Sequence, residues 1–156
     1  MRIRGLIAIS CTLLGLSAGA TGRDIALISN KANRVQAMTL PDIARICKGQ
    51  LSHWPDGTVA SCITRDPSTP EMKLVLTRVY GMTEDEVKAT INSANHGRSD
   101  RPVVILLNSD EAVVKKVETT PGAVGLVDVY SITGGVIVMR VGGKLPLEPG
   151  YPLHGN

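Results

Sequence analysis

Leu40-Pro41-Asp42-Ile43-Ala44-Arg45-Ile46-Cys47-Lys48-Gly49, followed closely by His53-Trp54-Pro55-Asp56-Gly57, is the stretch on which the reading of the fold turns. Thr39 stands ahead of it as a helix cap, with Pro41 in the first turn and Asp42 three residues after the cap. That is the pattern of a capping box, in which cap and acid satisfy each other's backbone N–H groups. Ile43, Ile46 and Cys47 form one apolar face, and Gly49 can stop the helix in a left-handed conformation. Pro55-Asp56-Gly57 then reads as a turn into a strand over 59–64.

Working outward, apolar strands alternate with helices. Asp24 to Ser29 is a short run rich in branched residues, read as a buried strand, and 30–36 as polar loop. Asp66-Pro67 is expected to open a helix that turns Met72, Val75, Leu76 and Val79 inward and ends at Tyr80-Gly81. Thr83 with Glu86 predicts a second capping box and a helix to about Asn95. Val103-Val104-Ile105-Leu106-Leu107 is continuously apolar, the kind of strand buried on both faces. Ser109-Asp110 caps a helix carrying Ala112, Val113 and Val117, which Thr120-Pro121-Gly122 ends. Strands follow over 123–127 and 135–140, then an extended tail over 146–156. Strands separated by helices predict an α/β fold: a mixed, mainly parallel sheet flanked by helices.

The chain has 156 residues, 43% apolar and 20% charged, a globular composition that excludes a disordered tail protein. With no Phe and only Trp54, Tyr80, Tyr130 and Tyr151 as aromatics, the core falls to Val, Ile, Leu, Met and Ala. The same scarcity argues against a stacking platform for single-stranded nucleic acid. Met1-Arg2-Ile3-Arg4, a mostly apolar run over 5–16 and Ser17-Ala18-Gly19-Ala20 form the three parts of a secretory signal peptide, cleaved after Ala20. The apolar run falls short of the ~20 residues of a membrane span, and no second long one follows. Acylation at Cys11 is the weaker reading, because too few apolar residues precede it. The expected mature chain, 21–156, is one domain. Loss of Arg2 and Arg4 leaves 15 basic residues against 14 acids, so the net charge falls from +3 to +1. No Lys/Arg run remains, and nucleic acid is excluded as a partner.

Cys47 and Cys62 are the remaining cysteines, 15 apart. An even pair in an exported chain reads as a disulfide; the alternative is two small buried apolar residues. A metal site built from them and His53 lacks the usual ligand spacing. The chain has no GxSxG, HExxH or Walker A pattern, and no His with an evident Ser, Cys or acid partner, so we read it as non-enzymatic and free of cofactors.

The stretch 40–57 quoted above, together with Thr120-Pro121-Gly122-Ala123-Val124-Gly125-Leu126-Val127, resembles the phosphate-type periplasmic solute-binding proteins of ABC transporters. That family has a helix ending in Ile-Phe-x-Gly, a Trp with an Asp-Gly turn, and later Pro-Gly-Ala-Ile-Gly-Tyr. The likeness runs from about Asp24 to Tyr151. It implies a lobe of the type II periplasmic-binding-protein fold, in the periplasm or secreted. The motifs themselves serve the fold: Gly122 and Gly125 permit tight passage from helix to strand.

The resemblance also places a site. The family has an Arg at a strand end, then a Ser-Gly-Thr element opening a helix, which together cradle an oxyanion. Here the run is Arg65-Asp66-Pro67-Ser68-Thr69-Pro70-Glu71, so Arg65, Ser68 and Thr69 are the candidate ligand-binding residues. The Gly is missing, Pro67 and Pro70 lack N–H donors, and Asp66 and Glu71 add negative charge. An N-cap role explains Asp66, Ser68 and Thr69 equally well. Ser29, Asn30 and Asn33 follow the first strand and read as loop polarity or as a second set facing a cleft. Full family members close two lobes over the ligand, whereas this mature length suits one lobe. The resemblance therefore implies phosphate or another small oxyanion as ligand, and an ABC permease as partner. The alternative is a single-lobe scaffold or sensor that binds a protein partner or second lobe and has lost tight anion binding. The exported protein should begin at Thr21; an intact mass matching 21–156 checks this, and retention of residues 1–20 overturns it.

Overall fold

In the computed structural model, residues 22–155 are described; the signal read over 1–20 lies outside them, as does Asn156. Five strands form the main sheet: β1 (Ile25–Ser29), β3 (Ser61–Arg65), β4 (Val104–Leu107), β5 (Ala123–Asp128) and β6 (Ile137–Val138), in the order β4-β3-β5-β1-β6. β3 runs parallel to both β4 and β5. β1 is antiparallel to both of its neighbours, β5 and β6, so it alone is reversed. Two short strands, β2 (Ala37–Met38) and β7 (Arg140–Val141), pair in parallel as a separate ribbon. The helices are α1 (Leu40–Cys47), α2 (Lys73–Val75), α3 (Glu84–Asn95) and α4 (Asp110–Thr119). The structure is thus a mixed, mostly parallel sheet flanked by helices, as the alternation predicts.

Side chains that alternate along each strand sort into two cores. Ile25, Leu27, Cys62, Val124 and Leu126 pack on one face with Ile43, Ile46, Val75 and Val87. Ile28, Ile63, Ala123 and Val127 pack on the other with Val113, Val114 and Val117 of α4. Cys47 and Cys62 are fully buried and disulfide-bonded, with Cα atoms 5.1 Å apart, tying the end of α1 to β3.

The helix starts follow their local chemistry. Thr39 with Asp42 and Thr83 with Glu86 form the two capping boxes, and Ser109 accepts from the Ala112 N–H. Gly49 takes φ +70° just past α1, as a helix stop requires.

Three expectations are corrected. The helix expected from Asp66 begins at Pro70, and the run over 70–80 is a 3-10 turn (Pro70–Met72), α2, and a π-helical turn (Leu76–Tyr80). Asp66 instead closes a turn: its carboxylate takes the Ser68 N–H and its carbonyl takes the Thr69 N–H. β4 is not buried on both faces. It is an edge strand paired only with β3, and Ile105, Leu106 and Leu107 are half-buried. The strand expected over 135–140 divides at Met139: Met139 N–H still donates to Leu27, but Arg140 N–H donates to Gln36 and joins the small ribbon. Ser29, Asn30 and Asn33 follow the loop-polarity reading and spend polar groups within the protein. Asn30 Nδ2 donates to the carbonyls of Val117 and Glu118 at the end of α4, and Asn33 donates to Ser29 Oγ and the Ala123 carbonyl.

The tail is folded back rather than loose. Buried Tyr151 donates its hydroxyl to the Ile25 carbonyl at 2.8 Å, and Ile25 N–H donates to Leu153. Burial pushes the Tyr151 hydroxyl pKa up, so this donor keeps its proton. Asp24, 2% exposed, accepts from the Leu147 N–H and pairs with His154. That contact holds Leu147 in the left-handed region, at φ +70°.

Gly122 is the tightest junction. Its φ is +84°, its carbonyl takes the Trp54 indole N–H at 2.8 Å, and its N–H donates to Asn33 Oδ1 at 2.7 Å. A Cβ there would strike the carbonyl oxygen of Val59. Gly57 has φ +85° in open space. Gly122→Ala should therefore cost well over ~2 kcal/mol in urea unfolding, strain and clash together, while Gly57→Ala should cost about 1–2 from strain alone. Equal costs would refute the clash.

Candidate functional site

In open α/β sheets, ligands gather outside the carboxyl ends of the strands. β3, β4 and β5 end on one edge, at Arg65, Leu107 and Asp128, and the reversed β1 begins there at Ile25. Arg65 comes from the last residue of β3, and Asp110 from the first turn of α4. Glu71 comes from the 3-10 turn after the 66–69 loop.

The Arg65 side chain is 18% exposed and lies between two carboxylates. Nη1 is 3.5 Å from Asp110 Oδ1, and Nη2 is 3.5 Å from Glu71 Oε2. Both are longer than the ~2.7–2.9 Å of a tight charge-assisted hydrogen bond. Nε is buried and has no hydrogen-bond partner, an uncommon state for a buried donor. Asp110 is itself held: Oδ2 accepts from the Asp128 N–H at 3.0 Å and lies 3.5 Å from Ser131 Oγ. Asp128 accepts from the Tyr130 N–H and pairs with Arg23 at 3.2 Å. Two charge groups thus share the edge: Arg65 between Glu71 and Asp110, and Arg23 with Asp128, joined by the bond from the Asp128 N–H to Asp110.

The 66–69 loop turns its polar groups on itself. Asp66 Oδ1 takes the Ser68 N–H at 2.8 Å and the Ser68 hydroxyl at 2.6 Å. These bonds hold the Asp66 carboxyl below its ordinary pKa. Thr69 Oγ1 donates to the Asp66 carbonyl at 2.9 Å, and the N–H of Met72 donates to the Thr69 carbonyl. The donors nearest Arg65 are therefore already engaged.

Next to Glu71 lies a groove of about 520 Å³, which Arg65 itself does not line. Arg23, Glu71, Lys73, Arg78 and Asp128 line it, with Leu74 and Ile25 as apolar floor. Of these, the sequence reading singled out only Glu71. Arg23 and Asp128 could not have been paired from spacing, since they are 105 residues apart. A groove of about 420 Å³ lies at the opposite edge, around Asn33, Arg34, Trp54 and Asp56, where Asn33 serves the Gly122 junction. Among the described residues there is no cluster of metal-ligating side chains, and no helix is long and apolar enough to cross a membrane.

The fold is shared with phosphate receptors. An ABC-type phosphate transport receptor from Vibrio cholerae superposes with a TM-score of 0.68 at 22% identity, over 85% of this chain and 54% of that one. PstS from Borrelia burgdorferi gives 0.67 at 17% identity, over 87% and 56%. A putative phosphate ABC transporter substrate-binding protein with bound phosphate, from Clostridium perfringens, gives 0.63 at 18% identity, over 79% and 46%. The chain spans about half the length of these structures. No family model and no curated relative matches the sequence. The resemblance drawn from the two motifs is thus met in three dimensions, as a likeness of fold.

The Asp66 turn sets a pH expectation. A carboxyl whose folded pKa is depressed adds stability above its unfolded value, near 3.8, and loses it as pH falls through the folded value. The urea midpoint of wild type should fall between about pH 5 and 2.5, and Asp66→Asn should remove part of that fall. Identical pH profiles would show that the turn carries no such linkage.

Proposed function

We propose that this chain is an exported solute-binding domain that takes phosphate or another small oxyanion at Arg65 and passes it to an ABC permease. The observation that carries the reading is Arg65: a mostly buried guanidinium, with an unpartnered Nε, at the carboxyl edge of a sheet shared with phosphate receptors. A guanidinium fork matches two oxyanion oxygens at once, and its partial burial strengthens the attraction relative to water. Ser68 and Thr69 follow Arg65 in the loop closed by Asp66. Each would offer its hydroxyl proton to an anion by releasing Asp66, a rotation about one bond. Arg23, Lys73 and Arg78 along the groove draw an anion toward this edge. The periplasm, or the exterior, is the compartment this reading requires. Phosphate receptors as structural neighbours support transport rather than enzymatic chemistry.

A second reading has its own observation. Tyr130 and Leu147 are 73% and 65% exposed, and both belong to this edge through Asp128 and Asp24. Exposed apolar side chains beside a charge-paired Arg suit a protein partner or second lobe that covers the edge. Sedimentation of the purified domain separates the two, because a concentration-dependent dimer favours the protein interface.

Phosphate at about 100 times its dissociation constant should add about 2.7 kcal/mol to stability. A thermal-shift titration should show this rise in wild type and lose it in Arg65→Ala. A rise unchanged in Arg65→Ala would move the site away from this edge.

A further inference from the structure

We infer that Glu71 is an internal gate on Arg65: its carboxylate occupies the place an incoming oxyanion must take. The inference rests on the oxyanion reading above and concerns how that site is controlled.

Glu71 meets both sides of the site. Its Oε2 stands 3.5 Å from Arg65 Nη2, and the same residue lines the 520 Å³ groove. Arg65 does not line that groove, so an anion drawn there by Arg23, Lys73 and Arg78 meets Glu71 before the Arg65 fork. The other guanidinium nitrogen is covered from behind by Asp110, which is 7% exposed and fixed by the Asp128 N–H. Asp110 cannot leave without stranding that N–H. Glu71 is different: its side chain is 50% exposed, and its only ion pair among the described residues is the one to Arg65. Moving it frees only Arg65 Nη2, which the incoming anion then takes, and water solvates the freed carboxylate.

The two carboxylates have different jobs. Asp110 positions the guanidinium, and Glu71 competes for it. A carboxylate and a phosphate both present paired oxygens to the fork, so they exclude each other there. Glu71 also repels any anion that binds while its charge remains a few ångströms away. The gate therefore weakens affinity for any oxyanion by the cost of displacing Glu71.

The test is calorimetric titration of phosphate into wild type, Arg65→Ala, Glu71→Gln and the Arg65→Ala/Glu71→Gln double variant. Glu71→Gln keeps the shape and removes the charge. It should bind phosphate at least tenfold more tightly than wild type and lose that gain in the double variant. Equal phosphate affinity in wild type and Glu71→Gln, with loss in Arg65→Ala, overturns the gate and leaves the oxyanion site standing. A gain that survives in the double variant overturns the gate as well, since it does not act through Arg65. Flat titrations in wild type and Glu71→Gln alike overturn gate and site together.

Discussion

The hydrogen bond from the Trp54 indole to the Gly122 carbonyl joins the two sequence motifs that set this fold. One motif supplies the turn at 53–57, and the other supplies the entry to β5. At Gly122 they meet so closely that a side chain would strike Val59. Asn33 completes the junction by accepting the Gly122 N–H and donating to the Ala123 carbonyl, which also brings in the loop after β1. Three segments far apart in sequence are thereby registered at one edge of the sheet. The opposite edge, where the strands end, is left free of this duty. Arg65, Asp110 and Asp128 are positioned there by strands whose other ends are locked.

That division explains the character of the candidate site. Its charges satisfy one another in series rather than converging on an empty centre. Arg65 is held by Asp110 and covered by Glu71, and the loop hydroxyls of Ser68 and Thr69 bond to Asp66. Such an edge is stable without a ligand. It also makes affinity depend on how readily protein groups are displaced, as well as on the new bonds a ligand forms.

What was legible in the sequence was local or short in range. The helix starts at Thr39, Thr83 and Ser109 were readable because a cap and its partner lie three residues apart. Asp66 misled because the same side chain caps helices and closes turns, and only the position of Pro70 decided between them. The burial of Val103 to Leu107 was overestimated because a hydrophobic run does not state its place in the strand order. Arg65 was found through a resemblance, but its partners were not. Asp110 lies 45 residues away, and Asp128 reaches the site only because β5 lies next to β3. Electrostatic partners chosen by topology leave no trace in spacing.

The reversed strand has a further consequence, for the order in which the molecule can assemble. β1 is the first strand in the chain, yet both of its neighbours come from its last third, with Ile25 opposite Asp128 and Ser29 opposite Ile137. All five of its residues are buried in the finished structure. While the chain is being made, this apolar strand waits with two open edges until residue 138 has emerged, and contacts so distant in sequence close slowly. An unpaired apolar strand is a template for association with other chains. Synthesis thus passes through a long interval in which β1 has neither neighbour to pair with, and any fragment that stops before β5 keeps that exposure.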